Sequence, residues 1–292
     1  MILITGATGS AGSHVVRALL RQKQDVRVFA RDAERARELL GADCEIAVGD
    51  FADAQSLRAA LEGVGALFLS CADNPCRVAW ETAAIDAAVA AGVERIVKLS
   101  SITAAPGAPV AFWDWHGQVE DHLRSARVST VVLRSSFFMS NVLAAAEQVA
   151  HEGRFFAPAG EARIAMIDPR DVGDAAAAML VTPVYVQGAF VLTGPAAITY
   201  SDVAAELSAA TGREVEFVDV GDDDARDAMI EAGMPAFVAE QIVAIFAQAR
   251  EGINEEVTGT VESLTGRRPR DFAEFAREHA GLFAPVAEAV RP

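Results

Sequence analysis

The sequence predicts an α/β fold, in which a doubly wound parallel sheet is joined to a smaller, mainly helical part. Three observations predict it: short apolar runs alternate with amphipathic helical stretches, the runs are apolar throughout, and a glycine-rich turn follows the first run. Strands buried on both faces and separated by helices are typical of a parallel sheet covered on both sides. A chain of 292 residues is long enough to bury a substantial core.

The apolar runs give the order of the expected elements. Six strands are expected at 2–5, 26–30, 44–48, 66–71, 95–100 and 129–133, with helical periodicity between them. After about residue 150 a hairpin-like stretch precedes one late strand around 186–194, and helices dominate from Tyr200 onward. We therefore expect a first domain over 1–150, joined by the late strand, and an interleaved substrate-binding cap over 151–292.

Charge and cysteine usage exclude several classes of partner. The 41 acidic and 25 basic residues give a net charge of −16, which disfavours nucleic acid and anionic membranes. The three cysteines show neither disulfide nor zinc-site spacing. No run of about 20 apolar residues and no basic leader is present. We expect a cytoplasmic protein, monomeric or homodimeric, that acts on a small molecule.

The stretch "TGATGSAGSH" places three glycines where the first strand meets the first helix. A tight turn needs the backbone freedom of Gly6, a bare backbone at Gly9 lets an anion approach the helix N-terminus, and Gly12 permits close packing of helix and strand. The spacing departs from the commoner G-x-G-x-x-G, and a purely structural turn is the alternative. We expect a pyrophosphate-binding turn formed by Gly6, Thr8, Gly9, Ser10, Ala11 and Gly12.

Further motifs make the chain similar to a known family. These are TGATG-x-x-G, Arg31 after the second strand, "VGDFAD", "KLSS", "LRSSFFMSN" and "MIDPRDVGDAAAAML". With them the chain resembles the NmrA-like atypical short-chain dehydrogenases/reductases, most closely the NAD(P)H:quinone reductase type, nearly from end to end. The resemblance implies a Rossmann-type fold and a nicotinamide dinucleotide cofactor. It leaves the substrate open.

The residue after the second strand bears on the choice of cofactor. An NAD enzyme usually carries a carboxylate there, whereas Arg31 suits a 2′-phosphate and therefore favours NADP(H). NAD(H) stays possible through Asp32, and a solvated Arg31 beside a helix-capping Asp32 is the alternative. No metal or flavin is indicated. The resemblance implies that Asp50 and Phe51 lie beside the adenine, with a simple strand-end turn as the alternative. Further cofactor contacts are expected at Ser70, Cys71, Ala72, Ser100 and Phe137.

The Tyr-x-x-x-Lys pair of standard short-chain enzymes is missing, because the only tyrosines are Tyr185 and Tyr200 and the only lysines are Lys23 and Lys98. "FWDWHGQVE" stands in its place, and the quinone-reductase type resembles it in His-x-x-x-Glu. His116 is expected to donate a proton or hydrogen bond, with Ser101 as a second catalytic residue. Alternatively His116 is a packed or surface helix residue; metal binding with Glu120 lacks a third ligand. Lys98 is expected to point away from the cofactor.

Aromatic and methionine side chains suggest the substrate. Either they are core residues or they line an apolar slot for a flat aromatic molecule: Trp113, Trp115, Phe138, Met139, Phe155 and Met166. The sequence then predicts an NAD(P)H-dependent reductase of quinone-like or conjugated carbonyl substrates, including an aromatic polyketide in a tailoring pathway. The hydroquinone formed can react with dioxygen and mimic a hydroxylation cascade. A dinucleotide-binding redox sensor without turnover and a degenerate ketone reductase are the alternatives.

Overall fold

The computed structural model describes residues 1–184 and 186–284. Seven strands form one parallel sheet in the order β3-β2-β1-β4-β5-β6-β8, which confirms the predicted doubly wound architecture. A separate parallel pair consists of β7 and β9. The strands are β1 (Ile2–Ile4), β2 (Val26–Ala30), β3 (Glu45–Val48), β4 (Ala66–Leu69), β5 (Arg95–Ser101), β6 (Ser129–Ser135), β7 (Arg154–Ala157), β8 (Gly188–Leu192) and β9 (Glu216–Asp219).

The described helices follow the strands in alternation and then dominate the later part of the chain. They are α1 (Gly12–Arg21), α2 (Ala33–Leu40), α3 (Ala54–Ala60), α4 (Arg77–Ala90), α5 (Ala111–Ser125), a 3-10 helix (Met139–Ala145), α6 (Ala146–Glu152), α7 (Pro169–Val181), α8 (Tyr200–Thr211), α9 (Asp222–Glu231), α10 (Ala236–Arg250), α11 (Thr260–Thr265) and α12 (Phe272–Phe283). Each of them is too short or too polar to cross a bilayer.

Helices cover both faces of the large sheet. Leu57 of α3, Ile85 of α4 and Leu123 of α5 share one buried cluster with strand residues such as Leu67 and Ile96. Helices α1 and α7 contact each other and the strands but contribute nothing to that cluster, so they lie on the opposite face. This cover on both sides explains why the strands are apolar throughout.

The chain forms two compact units that interleave along the sequence. The first consists of Met1–Ser135, Pro169–Leu192 and Gly259–Arg268, and it holds the seven-stranded sheet. The second consists of Ser136–Asp168, Thr193–Thr258 and the described residues from Pro269 on, and it has its own core around Phe155, Tyr200 and Phe246. The expected boundary near residue 150 is therefore too late, because the chain leaves the sheet after β6. The expected late strand is β8.

Candidate active site at the carboxyl ends of the strands

The glycine turn is tied to the end of β4. Thr5 Oγ1 donates to the carbonyl of Phe68 or Ser70 and accepts the amide hydrogen of Ser70 at 2.9 Å. Gly6 has a φ of 61°, and a Cβ there would lie 2.8 Å from Ser70 O. A Cβ on Gly12 would lie only 2.2 Å from Gly6 O. Glycine is therefore required at both positions, by backbone conformation at Gly6 and by close approach at Gly12.

The start of α1 offers backbone donors that the protein leaves unused. No side chain caps this helix. Within the described residues, the amides of Ser10, Ala11 and Gly12 donate no hydrogen bond. A Cβ on Gly9 would meet only Gly6 O, at 3.2 Å, so the outer side of the turn is open. Unsatisfied amides at a helix N-terminus attract anions, and the turn therefore fits a diphosphate.

Arg31 and Asp32 have different surroundings at the end of β2. The side chain of Arg31 is exposed and makes no ion pair with a described residue. The carboxylate of Asp32 caps α2, because its Oδ1 accepts from the amides of Glu34 and Arg35 at 3.0 Å each. Asp32 is thus held by the helix, whereas Arg31 is available to a ligand.

Phe51 follows β3 and belongs to a row of three aromatic rings. It meets Phe29 edge to face, with ring centroids 5.8 Å apart, and lies nearly parallel to Trp80, with centroids 6.4 Å apart. Asp50 closes the local turn by accepting from the amide of Ala52 at 2.8 Å. Trp80, which the sequence did not single out, adds a half-buried aromatic surface beside the residues expected to contact adenine.

The segment after β4 carries three predicted cofactor residues. Ser70 and Cys71 are half-buried and Ala72 is exposed. Burial, reinforced by the negative charge of Glu81, raises the pKa of the Cys71 thiol to about 11, although Arg77 and Lys98 act in the opposite direction. This thiol is therefore not poised as a nucleophile. The carbonyl of Cys71 accepts a hydrogen bond from Arg77 Nη2.

His116 lies between two basic side chains, Arg77 and Lys98, that the sequence did not connect with it. Its Nε2 is 2.5 Å from Arg77 Nη1, and its Nδ1 is 3.1 Å from Lys98 Nζ. Lys98 is fully buried and pairs with the fully buried Glu81, at 3.2 Å between Nζ and Oε2. That contact lacks aligned hydrogen-bond geometry. Lys98 shares one face of β5 with Ile96 and Ser100, and its expected position away from the cofactor stays a prediction.

These contacts oppose the proton-donor role expected for His116. Burial lowers its pKa well below the usual value, and any positive charge at Lys98 or Arg77 acts in the same direction. The half-buried ring is therefore neutral near pH 7, and each of its nitrogens already faces a protein group. His116 thus holds Arg77 in place rather than presenting an acidic proton to a ligand.

A second buried network occupies Ser100 and Glu120. Ser100 Oγ donates to Glu120 Oε1 at 2.5 Å, and Arg134 binds the same carboxylate through Nη2, at 2.5 Å, and Nε, at 3.1 Å. Ser100 is only 2% exposed. Its expected cofactor contact is therefore not supported, because its hydroxyl is committed to Glu120. Ser101 is half-buried, with its Oγ 3.3 Å from Thr103 Oγ1, and remains accessible.

The aromatic and methionine residues divide between the two units. In the first unit Trp113 is buried, and Trp115 is half-buried against Phe112. In the second unit three expected substrate residues are core side chains: Met139, Phe155 and Met166, each at most 2% exposed. This burial favours packing over contact with a substrate. Phe137 packs partly against the same core, and Phe138 is half-buried.

Comparison with known protein families identifies the family of this chain. The NmrA-like family model matches residues 1–276. The protein belongs to the NmrA-like family. Its 38% identical relative, the NAD(P)H azoreductase of Xenophilus azovorans, aligns over 97% of this chain and 99% of that protein. A (4-alkanoyl-5-oxo-2,5-dihydrofuran-3-yl)methyl phosphate reductase of Streptomyces griseus is 37% identical over 98% of this chain and 100% of its own.

A solved structure has the same fold as this NmrA-like protein. The NADPH-dependent quinone oxidoreductase QOR2 of Escherichia coli, solved in complex with NADPH, superimposes with a TM-score of 0.86 at 28% identity. The match covers 95% of this chain and 99% of QOR2. The family and the Rossmann-type α/β fold expected from the motifs are thereby confirmed.

Proposed function

We propose that this NmrA-like protein is an NAD(P)H-dependent reductase, with NADPH preferred, that reduces quinone-like or conjugated carbonyl acceptors. The observation that carries the proposal is the open glycine turn with three unused amides, followed at the end of β2 by an exposed Arg31. When bound, the dinucleotide would supply a hydride. The amides of Ser10, Ala11 and Gly12 would hold its diphosphate, and Arg31 its 2′-phosphate.

The state of Asp32 supports the preference for NADPH. A carboxylate that discriminates for NAD(H) must accept from the ribose hydroxyls, but Asp32 already accepts from two helix amides. The adenine would lie beside Asp50 and Phe51, with Trp80 adding a further ring. The NADPH complex of QOR2 and the name of the azoreductase relative support the same class of cofactor.

The protonation of His116 supports the class of acceptor. A hydride delivered to a simple ketone makes a strongly basic alkoxide, which needs a positioned acid. A neutral imidazole held between Arg77 and Lys98 is a poor acid. A quinone or an extended enone gives a delocalised, weakly basic anion, for which a hydrogen bond such as that of Ser101 suffices. Azo, unsaturated furanone and quinone groups, which the relatives' names contain, are all conjugated acceptors.

Arg31→Ala tests the cofactor assignment. A lost charge-assisted contact is worth about 1.5–3 kcal/mol, so NADPH affinity should fall about 10- to 100-fold while NADH affinity stays unchanged. Fluorescence titration with both cofactors measures this. The matched control is Arg35→Ala, an exposed arginine four residues later. Equal losses in the two variants, or no binding of either cofactor to the wild-type protein, would overturn the proposal.

Turnover is tested separately, by the absorbance of the nicotinamide at saturating NADPH. The acceptor panel contains simple quinones, an azo dye, an unsaturated lactone, a polycyclic aromatic polyketide and a saturated ketone. Oxidation with the conjugated acceptors and not with the saturated ketone is expected. Tight NADPH binding without oxidation by any acceptor would instead support the redox-sensor alternative.

A further inference from the structure

Arg77, Glu81, Lys98 and His116 form a buried polar cluster, here called the lysine cluster, between β5 and helices α4 and α5. Lys98 and Glu81 are fully buried, and Arg77 is 4% exposed. Placing this many charged groups away from water is costly unless their hydrogen bonds are arranged consistently. The positions of the hydrogens in the cluster can therefore be worked out from its contacts.

Arg77 fixes the tautomer of His116. A guanidinium can only donate hydrogen bonds, so the ring nitrogen it contacts has to accept. That nitrogen is Nε2, at 2.5 Å from Arg77 Nη1. The other terminal nitrogen of Arg77, Nη2, is held separately, because it donates to Cys71 O and pairs with Asp73 Oδ1 at 3.1 Å. The single proton of a neutral imidazole is then on Nδ1 and points at Lys98.

The contacts of Lys98 match those of an uncharged amine. An ammonium group has three donors and no acceptor, so it cannot receive the Nδ1 proton of His116. An amine has two N–H groups and one lone pair. Lys98 Nζ donates to Leu99 O and meets the ring nitrogen Nδ1 of His116, while Glu81 Oε2 lies 3.2 Å away without aligned hydrogen-bond geometry. The alternative, a charged Lys98 donating to Nδ1, would leave the hydrogen on Nε2 facing a hydrogen of Arg77.

We propose that Lys98 is a positioning residue that acts as a neutral amine, accepts the Nδ1 proton of His116 and thereby fixes the imidazole as the acceptor for Arg77. Through this chain Lys98 orients Arg77 and the segment after β4. Its significance for catalysis depends on the proposed reductase function. In that function the lysine cluster would order the cofactor-binding segment without supplying a proton.

The charges around the lysine cluster are consistent with this assignment. Burial lowers the pKa of Lys98, and Arg77 adds to the effect, while Glu81 and more weakly Glu120 oppose it. The groups that face Lys98 are Glu81 and Arg77 from α4, and His116 and Glu120 from α5; the Cys71 thiol lies near the same charges. Each of these groups can therefore contribute to the titration of the cluster.

Nuclear magnetic resonance tests the proposal on the protein without cofactor or substrate. The chain has only two lysines, so labelled side chains give two signals, and the exposed Lys23 is an internal reference. We expect Lys98 to give the chemical shift of a neutral amine near pH 7.5. The ring nitrogens of His116, identified among the five histidines by the signal lost in His116→Asn, should show the hydrogen on Nδ1. A charged Lys98 or a hydrogen on Nε2 would overturn the proposal.

Two substitutions separate an acceptor from a positive charge. Lys98→Gln keeps an acceptor oxygen and should preserve the Nδ1 tautomer, whereas Lys98→Arg can only donate and should displace it. The opposite result, with arginine preserving the tautomer, would show that Lys98 acts as a cation. Lys23→Gln is the control and should change neither signal. If both Lys98 variants fail to fold, the wild-type spectra still decide the protonation of Lys98.

Turnover supplies a second readout that depends on the proposed function. The rate should be nearly constant across the pH range around 6.5 in which an ordinary histidine titrates, because His116 stays neutral there. Lys98→Arg, which replaces the acceptor of the Nδ1 proton by a donor, should change the rate or its pH profile more than Lys98→Gln does. Failure to oxidise NADPH at all would refute the proposed function and leave the spectroscopic result valid.

Discussion

Replacing Gly12 by alanine should damage both the fold of the turn and its ability to bind an anion. The added Cβ would lie 2.2 Å from Gly6 O, 2.8 Å from Gly6 C and 2.9 Å from Ala7 Cα, and all three atoms belong to the backbone. No side chain can rotate to relieve these contacts. The oxygen contact alone has to open by more than about 1 Å to reach ordinary van der Waals separation, so we expect a cost of about 3 kcal/mol, at the upper end for overpacking.

The cost is measurable by thermal and urea unfolding, with cofactor binding followed in parallel. For a chain of this size, about 3 kcal/mol corresponds to a fall in Tm of roughly 6–12 °C. Because displacement of the turn also moves the amides of Ser10 and Ala11, NADPH affinity should fall more than stability alone explains. Gly65→Ala is the matched control, since Gly65 is an exposed loop glycine with open space around its Cβ.

A substitution at Gly9 separates the loss of stability from the loss of anion binding. A Cβ there would meet only Gly6 O at 3.2 Å, so Gly9→Ala should fold nearly as well as the wild-type protein but obstruct the approach of a diphosphate. If Gly12→Ala had the same Tm as the Gly65→Ala control and bound NADPH with wild-type affinity, the argument from close packing at the turn would be refuted.

Three further predictions concern buried polar groups and helix packing. Arg134→Met should destabilise the protein by about 3 kcal/mol in urea, because it leaves the carboxylate of Glu120 buried without its cation; adding Glu120→Gln should restore part of the loss. His116→Asn should weaken the loss of stability on acidification. His116 binds a proton near pH 6.5 in the unfolded chain and at lower pH in the folded protein. Its contribution to the free energy of unfolding is therefore fully present above about pH 6.5 and is lost as the pH falls below that value, by at most about 1.4 kcal/mol per pH unit. Unfolding curves of the wild-type protein and the variant near pH 5.5 and 7.5 measure this loss. Gly173→Ala should lower Tm, because its Cβ would lie 2.5 Å from His14 Cβ where α7 meets α1; an unchanged Tm would contradict that packing.

The course of the sheet could be predicted from the sequence, because a parallel strand covered on both faces leaves a continuous apolar run. The run at 129–133 corresponds to β6, which extends two residues further into Arg134 and Ser135. Both residues are polar, so the apolar run does not include them. Arg134 is accommodated in the strand by its ion pair with Glu120, and Ser135 by a hydrogen bond to Ser100 O. The glycine turn was equally predictable, since its spacing reflects local backbone geometry.

The lysine cluster could not be predicted from local patterns. Arg77 and His116 are 39 positions apart, and their contact depends on the packing of α4 beside α5. One signal was present, however: Lys98 interrupts an apolar strand, and period-two alternation places it on the face of Ile96 and Ser100. A charged residue at such a position requires a buried partner. Met139 and Phe155 illustrate a different limit: their residue types are compatible with a core or with an apolar slot, and the packing of the second unit favours the core.

The interleaved order of the two units has a consequence for biosynthesis. Strand β8 and the segment Gly259–Arg268 complete the first unit, although they are translated after long stretches of the second. In a nascent chain that has emerged only as far as Ser135, β6 can pair with β5 but its other edge lacks β8, and an open strand edge is a template for association with other chains. Completion of the first unit therefore has to wait until the segment Gly259–Arg268 has left the ribosome.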